Sequence, residues 1–70
     1  MAQRVKLLQN ISRLWIIAAS GNERLGWSGE QWVPIDRDGL PMSEARVVSF
    51  KSAIEAVVYG RSFGFDIEHN

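Results

Sequence analysis

Seventy residues, 46% of them hydrophobic, with eight basic and eight acidic side chains and no cysteine, make one small domain (1–70) whose core must hold by packing alone, without disulfide or metal staples. The lack of cysteine removes thiolate zinc sites and cysteine nucleophiles and fits a reducing, cytoplasmic setting. The balanced charge lacks the basic excess with which nucleic-acid-binding domains meet phosphate.

The chain begins with a mildly basic half, Arg4, Lys6, Arg13 and Arg24 against Glu23 and Glu30. Gln9, Asn10, Ser12 and Arg13 break the continuous apolar stretch of a signal peptide. The longest apolar run, Leu14 to Ala19, falls far short of the roughly 20 residues of a membrane span. Val5 to Leu8 reads as an extra strand or an irregular lead-in. Leu14 to Ala19, with two isoleucines and a tryptophan before Ser20-Gly21-Asn22, reads as a strand and turn. A helix is the rival, since Leu7, Leu8, Ile11, Leu14, Trp15 and Ala18 share one helical face. It leaves Ile16 and Ile17 off the stripe, and β-branched residues favour the strand.

Trp27-Ser28-Gly29-Glu30-Gln31-Trp32 predicts a hairpin. Gly first in a two-residue turn suits type II′, with Ser28 and Gln31 as the flanking pair. Trp27 and Trp32 then oppose each other where cross-strand side chains come closest. The arms, Arg24 to Trp27 and Gln31 to Ile35, join Leu14 to Ala19 in an antiparallel three-stranded meander. Alternation places Leu25, Trp27, Trp32 and Pro34 on the expected core face and Gly26, Ser28, Gln31, Val33 and Ile35 on the other. Pro34 belongs at an edge or strand end.

Asp36-x-Asp38-Gly39 has the middle of a calcium loop, but Pro34 and Ala45 occupy the positions of the end ligands, so the segment reads as a solvated turn. Arg46 to Phe50 is a candidate extended segment. Ser52-Ala53-Ile54-Glu55 fits a capping box that opens a helix. Phe50, Ala53, Ile54, Val57 and Val58 form its predicted inner stripe. The helix ends at Gly60 or, as the favoured reading, runs to Gly64, and Phe65 to Glu68 supplies a last short strand. The predicted fold class is α+β: a small antiparallel sheet, a three-stranded meander plus a short C-terminal strand, packed on one C-terminal helix.

The residues select no catalytic constellation. The single histidine, His69, lies one residue from the end, and no spacing singles out a carboxylate pair. A fold this small also has little room for a closed pocket. No enzyme activity, metal or cofactor is expected. The three tryptophans read first as core, with Trp15 and Trp32 the candidates for partial exposure. Tyr59 falls opposite the apolar stripe, with Phe63 four residues on and Arg61 nearby, a composition enriched at interface hot spots. If the helix stopped at Gly60, Phe63 would instead turn into the core. The expected function is binding of another protein or a second copy of the chain, through Tyr59, Arg61 and Phe63. The alternative is nucleic-acid binding by Arg4, Lys6, Arg13 and Arg24 with an exposed tryptophan, which would carry a steep salt dependence.

A strand, a Leu25-Gly26-Trp27-Ser28-Gly29 hairpin leading into Trp32, then Ala45 to Phe50, a capped helix with Ala53 and Ala56, and Gly64-Phe65-Asp66-Ile67 follow one another in an order that resembles small phage-encoded modules, among them inhibitors of host RNA polymerase and of CRISPR effector complexes. The likeness spans residues 14–68 and lies in element order, with no shared functional motif. It implies a host protein complex as partner and assigns no site residue.

Overall fold

Alternating apolar residues at Val5 and Leu7 make the first segment a strand with one face to bury, and it pairs with the isoleucine-rich run. The computed structural model describes residues 3–42 and 44–68. In chain order they form β1 (Arg4–Gln9), β2 (Trp15–Ala19), β3 (Asn22–Trp27), β4 (Trp32–Pro34), α1 (Ala53–Phe63) and β5 (Asp66–Ile67). The sheet order is β4-β3-β2-β1-β5. The strand reading of the N-terminal region thus holds over the helical one. The antiparallel meander has four strands rather than three, because β1 joins it. β5 runs parallel to β1, which makes the sheet mixed. The helix supplies the crossover that a parallel pairing needs.

The β1–β2 connection is held by Asn10, whose Oδ1 accepts from the amides of Ser12 and Leu14 at 2.9 and 3.0 Å. Beyond the Ala18–Gly26 pair, β2 and β3 separate, and the extended segment 48–50 fills the opening. Trp15 and Phe50 exchange backbone hydrogen bonds of 2.7 and 2.9 Å, and the Val48 amide donates to the Trp27 carbonyl at 2.9 Å. Backbone groups that would otherwise be buried unpaired are satisfied in this way.

The tryptophan hairpin has the expected register. Trp27 faces Trp32, the Ser28 amide donates to the Gln31 carbonyl at 3.0 Å, and Gly29 takes a φ of 104°. The return bond differs from a plain turn, since the Gln31 amide donates to the Ser28 hydroxyl at 3.0 Å. Pro34 lies exposed on the edge strand.

Both faces of the sheet bury apolar side chains. On the helix side, Val5, Ile17, Trp27 and Ile67 form the buried core, with Trp32, Val48, Phe50 and Phe65 packed against it. The tryptophan face is therefore a core face, as alternation predicts. The other face is covered over part of its area: Ile16, Ala18, Val33 and Ile35 are buried there. A β-carbon at Gly26 would lie 2.9 Å from Ile35 Cγ2 and 3.3 Å from Val47 Cγ1, so the chain returning after β4 seals that side closely. Strand alternation alone could not reveal this cover, which comes from a segment without regular structure.

Ser52 caps α1, its hydroxyl accepting from the Glu55 amide at 3.2 Å. Glu55 reaches back one residue further than a capping box requires and accepts from the Lys51 amide at 3.2 Å. The helix passes Gly60 and ends at Gly64, which has a φ of 93°. The Phe65 amide closes the end on the Gly60 carbonyl at 2.9 Å, the arrangement that satisfies orphan carbonyls at a left-handed cap.

The inner stripe differs from the predicted one. Ala56 and Gly60 are the buried helical residues, whereas Ile54 is 75% and Val58 60% exposed. Small side chains let the helix backbone lie close to the sheet: a β-carbon at Gly60 would sit 3.0 Å from Ile67 Cδ1 and 3.8 Å from Ile17 Cδ1. Of the predicted stripe, Phe50 and Val57 do pack against the core, but choosing it by the largest side chains rotated it by roughly a third of a turn, toward Ile54 and Val58.

Candidate functional site

A chain of aromatic rings runs from the core to the surface at the C-terminal end of α1. Trp27 is its buried centre, with ring centroids 5.1 Å from Trp32, 5.1 Å from Phe63 and 5.2 Å from Phe65, all edge-on. Phe63 stacks on Phe65 at 5.4 Å and on Tyr59 at 5.7 Å, and Tyr59 meets Phe50 at 5.0 Å. Such pairs contribute about 0.5–1.5 kcal/mol beyond area burial. The Trp27 Nε1 is buried with no hydrogen-bond partner among the described residues.

Tyr59 departs from its expected position. It is half-buried and packs against the core, because the true inner stripe at Ala56 and Gly60 places it at the side of the helix rather than opposite the buried face. Phe63 is 49% exposed. The structure brings Tyr59 and Phe63 together as an i, i+4 pair. Arg61, two residues from each, points elsewhere, since residues two apart on a helix do not share a face. It lies instead on the outer surface three residues from Val58. Ile54, Val58 and Arg61 thus belong to one exposed face, and Phe63, half a turn round the helix from Ile54, belongs to the aromatic cluster on the opposite flank.

Sequence reasoning missed Ile54 and Val58 as surface residues. The available signal was the set of small residues at Ala53, Ala56 and Gly60, spaced as one helical face, which marks where a backbone approaches another layer.

The basic candidates are divided. Strand alternation places Arg4, Lys6 and Arg24 on the sheet face away from the helix, while Arg13 sits in the β1–β2 turn with a φ of 66°. Lys6 pairs with Glu23 at 3.2 Å. The Glu23 carboxyl is held below its ordinary pKa, first by a hydrogen bond from its own backbone amide and then by Lys6. The tryptophans lie on the opposite, helix-facing side, Trp27 buried and Trp15 and Trp32 half-buried. The basic side chains and an exposed tryptophan are therefore not brought together.

Asp36 uses its carboxylate within the turn, accepting from the amides of Asp38 and Leu40 at 2.9 and 3.1 Å. Among the described residues no group of three or more His, Asp or Glu side chains is placed to hold a metal ion. His69 lies outside the described residues. No helix of the described residues is long and apolar enough to cross a membrane. An open groove of about 820 Å³ lies on the face away from the helix. The sequence matches no family model, and comparisons with curated proteins and with solved structures find no match.

Proposed function

We propose that this chain is a non-enzymatic protein-binding module that uses the outer face of α1, in the manner of small phage-encoded proteins that engage a host complex. One observation carries the reading: α1 lies on the sheet through its small residues Ala56 and Gly60, with Val57 and Tyr59 packed at the side of the core, and leaves Ile54 and Val58 outward in solvent. Single exposed apolar residues are ordinary, but Ile54 and Val58, one turn apart on the outward side of an 11-residue helix whose buried residues are Ala56 and Gly60, form the kind of surface that marks an interaction site. Arg61 beside Val58 adds a residue type enriched at interface hot spots.

The partner is another protein or a second copy of the chain, and sedimentation separates the two. The test of the site is photo-crosslinking in the native host with a benzoylphenylalanine placed at position 58, against the same group at Ile11, an exposed residue in the β1–β2 turn. The proposal expects a discrete protein adduct from position 58 only. Equal patterns from both positions, or none from 58, contradict it.

A further inference from the structure

Beside the β1–β2 turn, on the sheet face where Ile16 is buried, lies a concavity of about 270 Å³. Leu14, Ile16, Leu40 and Val47 bring aliphatic side chains to its lining, and Ser12, Arg46 and Ser49 bring polar ones. Its walls are held by the backbone. The Ile11 amide donates to the Asp38 carbonyl at 2.8 Å, and Gly39 lies so close to the turn that a β-carbon there would sit 2.8 Å from the Asn10 Cβ. The opposite wall, 47–49, is fixed by the bonds from Val48 to Trp27 and between Phe50 and Trp15. Among the described residues Arg46 is the one charged residue of the lining, since Asp38 and Glu44, the carboxylates nearest along the chain, are not part of it. The Arg46 guanidinium and the hydroxyls of Ser12 and Ser49 have no hydrogen bond or ion pair among the described residues.

We infer that this concavity binds a small carboxylic acid with a short aliphatic tail. Charge selects the head group. One unengaged guanidinium on a lining without carboxylates favours an anion, and its planar fork matches a carboxylate with two parallel hydrogen bonds. The two hydroxyls supply further donors. The aliphatic lining selects the tail: apolar walls with a few polar groups that fix orientation are the composition of small-molecule sites. Such sites usually span about 300–1,000 Å³, so a volume of about 270 Å³ restricts the occupant to a short chain. Inorganic phosphate shares the anionic charge but leaves the aliphatic surface in water, and so forgoes the burial that an alkyl tail contributes. The concavity lies across the sheet from α1 and does not depend on the helix-face reading.

Amide NMR shifts of the intact, isotope-labelled protein test this with three probes: hexanoate, hexanol and inorganic phosphate. Hexanoate should give saturable shifts at Ser12, Leu14, Leu40, Arg46 and Ser49. Hexanol should shift the same amides with weaker affinity, and phosphate should leave them unmoved. Arg46→Gln should weaken hexanoate about tenfold, the effect of removing a charged hydrogen-bond donor. It should leave hexanol binding and the melting temperature as in the parent, because Arg46 is exposed. Arg24→Gln removes a positive charge outside the concavity and should bind hexanoate as the parent does. The inference is overturned by hexanoate shifts that do not saturate or centre elsewhere, by an affinity unchanged in Arg46→Gln, or by an equal loss in Arg24→Gln. Hexanol binding as tightly as hexanoate would remove the role of charge, and phosphate binding as tightly would remove that of the tail; either result overturns it as well.

Discussion

Gly60 faces Ile67 so closely that a β-carbon at position 60 would sit 3.0 Å from the Ile67 Cδ1. That contact sets the distance between the helix and the sheet and locates the inner face of α1. It also explains why a residue that disfavours helices occupies the interior of one.

Substitution at this position should therefore scale steeply with size. Gly60→Ala gains about 1 kcal/mol of helix propensity against the push on Ile67, and should leave stability within about 1 kcal/mol of the parent. Gly60→Val adds a whole isopropyl group where there is no space, and overpacking of this kind costs about 1–3 kcal/mol. Denaturant midpoints check the pair; equal effects of Ala and Val would mean that the helix stands off from the sheet.

The cap and the stripe separate in a second comparison. Ser52→Ala removes the side-chain acceptor for the Glu55 amide and should cost about 1 kcal/mol. Ile54→Ala, at a site 75% exposed, should cost no more than about 0.5 kcal/mol. The fully buried Ile17 should lose about 2–5 kcal/mol on truncation to Ala. Chemical unfolding of the three variants gives the order directly, and an Ile54 variant as damaging as the Ile17 one would restore the stripe predicted from sequence.

That comparison also marks how far the sequence could be read. Local signals were sufficient where the chemistry is local: the Gly29-Glu30 turn, the register of Trp27 on Trp32, the Ser52 cap and the Gly64 terminus each follow from residues within a few positions. The face of α1 depends on tertiary contact, and the large aliphatics Ile54 and Val58 misdirected the reading because a close helix–sheet approach selects Ala56 and Gly60 instead. The parallel pairing of β5 with β1 was likewise invisible, since it joins the two ends of the chain. Tyr59 moved from the surface to the side of the core for the same reason as the stripe, whereas Phe63 kept half of its ring in solvent.

The Lys6–Glu23 pair should give a small acid sensitivity. Folding lowers the Glu23 pKa, so the unfolded chain binds a proton more readily than the folded one. The associated stability is present above the ordinary carboxyl value and is lost as pH falls through the lowered one. Both groups are solvent-accessible, which keeps the effect small. Carboxyl NMR titration should find Glu23 below its ordinary value. Lys6→Met should move it only part of the way back, because the hydrogen bond from the residue's own amide is the larger cause. A complete return would assign the shift to Lys6 alone.

The central claim is that the large outward residues of α1 are dispensable for folding and required for binding, and the Ile54→Ser/Val58→Ser double variant tests both halves. Its melting temperature and the yield of the adduct formed by a benzoylphenylalanine at position 61, an exposed site on the same face, should be measured on the same protein. The account predicts a melting temperature within a few degrees of the parent, as exposed sites allow, together with loss of the adduct. A loss of several kcal/mol in stability, on the scale of truncating Ile17, would show that Ile54 and Val58 belong to the core, and an undiminished adduct would show that the helix face does not bind.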